Sequence, residues 1–116
     1  MIVTTKRKAG EYGNSLEVIL NNHSRTLTIP ADATVKMSAR RLDTNDIVID
    51  NVDVAIVDRA ARQVRYDWRA GDLDDDRVGV TLDCEFVVIT SDSKQTYVPD
   101  DESNALHVHI IARVAN

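Results

Sequence analysis

One cysteine, two prolines, four glycines and five aromatic residues are spread over 116 residues. A lone Cys84 excludes an internal disulfide, and no Cys/His set has the spacing of a structural zinc site. The four glycines do not fall in the spacing of a phosphate-binding loop. No stretch reaches the roughly 20 apolar residues of a membrane span. The first eight residues lack the apolar run of a secretory leader, so no signal peptide is expected. Positive charge is short as well: 14 Lys and Arg stand against 19 Asp and Glu, a formal net charge of −5. Nucleic acid and anionic membrane both need a positive footprint, so neither is an expected partner.

What is present fits one soluble domain with an aliphatic core. Hydrophobic residues are 43% of the chain and charged residues 28%, which excludes a disordered or fibrous protein. With only Tyr12, Tyr66, Trp68, Phe86 and Tyr97 as aromatics, Val, Ile and Leu must fill the interior. Charge is polarised along the chain: residues 1–41 carry a formal +4 and residues 42–116 a formal −9. Such a chain can dock through complementary patches.

The dominant period is two. Gln63-Val64-Arg65-Tyr66-Asp67-Trp68 alternates for six residues, with Val64, Tyr66 and Trp68 on one face. That is the pattern of a half-buried antiparallel strand. Val35-Lys36-Met37-Ser38-Ala39-Arg40 alternates likewise. Further strands are expected at residues 16–20, 25–29, 46–49, 52–57, 78–90, 95–98 and 106–114. Residues 78–90 place Val80, Leu82, Cys84, Phe86 and Val88 on one face. Turn signals such as Gly13-Asn14, Asp43-Thr44-Asn45-Asp46 and Ser91-Asp92-Ser93 separate these runs. The stretch from Val57 to Gln63 has helix formers but is too short for an independent helix, so a turn opened by Asp58 is expected. The reading is all-β: an immunoglobulin-like antiparallel β-sandwich of about seven to nine strands, with residues 15–116 as the single domain and residues 1–14 as an arm or edge strand.

Candidate chemistry is sparse. Cys84 lies between Leu82 and Phe86 on an apolar face, where burial raises a thiol's pKa and removes the thiolate. His107 and His109 point to one face of a strand, where two imidazoles can share a metal or simply line a polar surface. Asp72, Asp74 and Asp76 alternate like the start of a calcium loop. The sixth and twelfth positions then hold Arg77 and Asp83 instead of Gly and Glu. No metal and no cofactor is assigned to these five residues, and an enzyme is not expected. Tyr66, Trp68, Phe86 and Cys84 are read as structural core, with Phe86 as the facing-sheet partner of the Tyr66 and Trp68 rings.

The segment Val64-Arg65-Tyr66-Asp67-Trp68, Gly71-Asp72, Gly79, Cys84-Glu85-Phe86-Val87-Val88 and Gln95-Thr96-Tyr97-Val98-Pro99 resembles the N-terminal domain of phage baseplate upper proteins and related tail-associated β-sandwich modules. The upstream Leu16 to Leu20 strand, Thr28-Ile29-Pro30 and the run from Val35 to Arg40 are similar too. Here Gly79 is followed by Val80 rather than an aromatic, and Ser91-Asp92-Ser93-Lys94 replaces an Asp-Gly hairpin. The resemblance implies a structural or assembly protein of a phage or prophage tail or baseplate. It would be a virion component made in the host cytoplasm, and its partners would be other phage structural proteins or further copies of itself. The reading from another class is a β-sandwich module that binds a small ligand, carbohydrate or calcium, with the acidic turns at 72–76 and at Asp100-Asp101-Glu102 as its loops.

Overall fold

The computed structural model describes residues 3–22, 27–100 and 105–112. Their alternating runs form two sheets. The larger holds β1 (Val3–Lys8), β3 (Thr34–Arg41), β4 (Ile47–Asp53), β7 (Thr81–Ile89), β8 (Gln95–Val98) and β9 (Leu106–Ile111). The smaller holds β2 (Ser15–Ile19), β5 (Ala55–Asp58) and β6 (Gln63–Asp67), in the order β2-β6-β5. In the larger sheet the order is β1-β9-β7-β3-β4. β8 and β9 share one edge of β7: β9 pairs with its first half, from Thr81 to Cys84, and β8 with its second half, from Phe86 to Ile89. The protein is all-β, as expected, with its six-stranded and three-stranded sheets packed as a sandwich.

One ladder departs from the antiparallel expectation. β1 runs parallel to β9, from Val3 beside Leu106 to Lys8 beside Ile111. Parallel neighbours cannot be joined by a hairpin. The rest of the domain serves as their connection.

The two apolar runs at 46–49 and 52–57 divide differently from the sequence reading. β4 takes in the first run and continues through Asp50-Asn51 to the start of the second, with Asn51 at φ +49 and register shifts against β3 where extra residues bulge. The chain then crosses to the smaller sheet between Asp53 and Ala55. The stretch after Asp58 is a turn, as expected: Ala61 N–H donates to Asp58 Oδ1 at 3.0 Å, and Arg62 takes φ +59. Leu27 and Ile29 are buried without forming a strand. Ile2, His23, Ser24, Arg25, Asp101, Glu102 and Val114, all parts of sequence-level readings, lie outside the described residues.

The core lies between the sheets. Val35, Met37 and Ala39 of β3, Leu82, Cys84, Phe86 and Val88 of β7, and Val108 and Ile110 of β9 face Leu16, Val64, Tyr66 and Trp68. Each such aliphatic side chain contributes about 1.5–3 kcal/mol on full burial. Among the described residues no charged or polar residue is fully buried.

Candidate functional site

Alternation fixes which side chains look outward from the larger sheet. Ser38 and Arg40 of β3 pair with Glu85 and Asp83 of β7, and Asp83 in turn pairs with His107 of β9. Laterally paired residues project to the same face. These polar groups therefore gather on the solvent side, opposite the core. Arg40 donates to Asp83 Oδ2 from Nε at 3.4 Å and from Nη2 at 3.2 Å, and from Nη1 to Asn45 Oδ1 at 2.8 Å. His107 Nε2 stands 3.8 Å from Asp83 Oδ1. The Glu85 carboxyl is held above the usual carboxylate range, first by partial desolvation and then by Asp83 beside it, against the pull of Arg40.

Apolar surface frames this cluster. Ile47 on β4 is 64% exposed and Tyr97 on β8 is 51% exposed. Between Lys36 and Tyr97, Val87 points to the same outer side and is nevertheless buried. A concavity of about 830 Å³ runs across this face, lined in part by Arg40, Ile47, Asn51, Asp83, Glu85 and Tyr97.

The sequence-level candidates take distinct places. His107 and His109 do share the outer face, but each has its own neighbour. His107 lies beside Asp83, and His109 Nδ1 shares a 2.8 Å hydrogen bond with Thr81 Oγ1. Asp72 is engaged in its own turn, where Oδ2 accepts from Tyr66 Oη at 2.6 Å and from Arg69 N–H at 2.9 Å. Asp74 precedes the short 3-10 turn Asp75–Arg77 that contains Asp76, and Arg77 Nη1 donates to the carbonyls of Gly71 and Asp72. Among the described residues no three of His, Cys, Asp and Glu come together to hold a metal ion.

The four core candidates lie in the interior. Tyr66 and Trp68 meet edge to face, 5.4 Å between centroids and 89° between planes. Phe86 belongs to the same buried cluster from the facing sheet. Burial in this core pushes the Cys84 thiol up to about 12, with a smaller push from Asp83. A thiol so placed is an inert small hydrophobe.

Sequence reasoning passed over Arg40, Glu85 and Tyr97. Each occupies an outward position of an alternating run, which marks it as solvent-facing. Only the pairing of β3, β7 and β8 brings the three together, and that pairing is not written in any local pattern. Searches of family models, curated proteins and solved structures found no match to this chain.

Proposed function

We propose that this protein is a structural assembly module, of the phage or prophage tail or baseplate kind that its sequence resembles. It acts by protein–protein association through the solvent face of the larger sheet. The observation that carries this is the grouping of exposed Tyr97 and Ile47 around Arg40, Asp83 and Glu85. Aromatic residues and arginine within apolar surface are the usual anchors of protein interfaces. Both signs of charge on one face favour a complementary partner, either a second copy or another structural protein.

Sedimentation across a concentration series, with affinity capture from producing cells, tests the reading. The expected result is a complex that Tyr97→Asp and Ile47→Asp both abolish while the circular dichroism spectrum is unchanged. A chain that stays monomeric and captures no protein sensitive to these substitutions would overturn it. Tail genes flanking the coding sequence are the check on the phage assignment.

The carbohydrate reading has one observation of its own: the concavity offers a tyrosine at its border and amide, guanidinium and carboxylate groups within, a set that can stack on and hydrogen-bond a sugar. A glycan array separates the two readings. Calcium is favoured less at 72–76, since Asp72 Oδ2 already accepts two hydrogen bonds. A rise in melting temperature on adding calcium would reverse that view.

A further inference from the structure

A second groove lies at the side of the sandwich, between the edge strands β1 and β2. No ladder joins them. They touch where Arg7 Nη2 donates to the Ser15 carbonyl at 3.4 Å. The groove has a volume of about 610 Å³, and Leu16, Leu20, Phe86, Val98 and Leu106 are among its lining residues.

Three features converge on it. The first is backbone. In the β2–β6 ladder, Trp68 N–H donates to the Asn14 carbonyl and Leu20 N–H to the Arg62 carbonyl. Antiparallel alternation then directs the peptide groups of residues 16, 18 and 20 towards β6, and those of Glu17 and Ile19 out over the free edge of β2. The second is a side chain. Asn22 lines the groove, and its amide nitrogen and oxygen are both shielded from solvent without a hydrogen-bond partner. An unpaired buried amide is costly, and a peptide group is the ligand that matches its one donor side and one acceptor side. The third is charge. Arg7 also lines the groove, and among the described residues its guanidinium donates only to the neutral oxygens of Thr5, Lys6 and Ser15. Among the described residues no carboxylate forms an ion pair with it.

We infer that this groove is an acceptor for an extended peptide segment of a partner protein, which adds as a strand to the free edge of β2. Its alternate apolar side chains enter the groove, its backbone bonds to Glu17, Ile19 and the Asn22 amide, and an acidic residue towards one end meets Arg7. This is strand addition, in which main-chain bonds give affinity and pockets for alternate side chains give specificity. It rests on the association reading above only in taking a protein as the partner.

The probe is a library of random ten-residue peptides displayed on phage and selected against the immobilised full chain. The expected winners alternate apolar residues and carry Asp or Glu near one end. As synthetic peptides they lose at least tenfold in affinity to Asn22→Ala and to Arg7→Glu, both checked for unchanged melting temperature. Replacing the peptide's acidic residue by Lys restores binding to Arg7→Glu, and N-methylation of the amides facing β2 abolishes it. Failure to enrich any peptide, or winners indifferent to both substitutions, would overturn the inference. Ile47→Asp, on the other face, leaves peptide binding unchanged. Loss of peptide binding with Ile47-dependent association intact therefore sinks only the strand acceptor. The converse sinks only the face.

Discussion

Trp68 is 1% exposed and packs edge to face on Tyr66. Truncating it leaves a large cavity between the sheets, so Trp68→Ala costs about 3–5 kcal/mol in urea unfolding. A loss below about 1 kcal/mol would contradict its place in the core. The alkaline limb of stability follows from two neighbours in that interior. Tyr66 is held above its ordinary range by burial and by the Asp72 carboxylate, and Cys84 is pushed up to about 12 by burial. Both acids therefore keep their protons in the folded state at pH values where the unfolded chain, with ordinary values of 10.0 and 9.0, releases them. The stabilisation is complete below pH 9 and falls as pH rises past 9 to 10. Cys84→Ala removes the thiol's part of that decline, which a pH series of melting temperatures reads directly. Glu85 has the same sign at acid pH: its raised carboxyl favours the protonated fold. Glu85→Gln therefore raises the melting temperature at pH 7, and the gain vanishes near pH 4. An equal gain at both pH values would remove desolvation as the cause.

At the scale of elements, the β7–β8 hairpin is informative. Its loop closes with Ser93 N–H on the Thr90 carbonyl at 2.9 Å and Thr90 N–H on the Lys94 carbonyl at 3.0 Å, and Ser93 sits at φ +67. This is a turn followed by a left-handed residue, the position glycine fills at least cost. Ser93→Gly is expected to stabilise by about 0.5–1 kcal/mol, since relief of the left-handed conformation exceeds the added chain entropy. Denaturant midpoints check the sign. Ser91-Asp92-Ser93 reads as a turn in the sequence, and period two locates β3, β6 and β7 closely. It could not find the bulged continuity of β4, because Asp50-Asn51 reads locally as a turn. Nor could it show that β8 and β9 share one edge of β7, since residues far apart in sequence decide that. The same reason hid the outer-face cluster: Arg40, Asp83 and Tyr97 are each ordinary surface residues until three strands are laid side by side.

For the whole molecule, the charge polarity of the sequence is kept at the borders of the larger sheet, while in its middle Lys36 and Arg40 of β3 pair with Asp53 and Asp83. Lys6 and Lys8 lie on β1 at one border of the larger sheet, and Asp50 and Asp53 on β4 at the other. Neither border is a flat template. β4 is bulged, and Lys6 carries the Arg7 guanidinium on its carbonyl at 3.0 Å. Such devices keep sheet edges from pairing indiscriminately. A sandwich built on such distant pairings folds slowly, so refolding after dilution from urea is expected in milliseconds to seconds. Stopped-flow fluorescence of Trp68 follows it, and microsecond refolding would be inconsistent with this topology.

The parallel ladder of β1 on β9 has a consequence for synthesis. β1 leaves the ribosome long before the strand that seats it, since residues 3–8 pair with residues 106–111. Until residues 106–111 emerge, Val3, Thr5 and Arg7 have no ladder to join, and a nascent chain stalled before Leu106 would leave its N-terminal strand open to protease. Once the ladder closes, β1 and β9 protect one another.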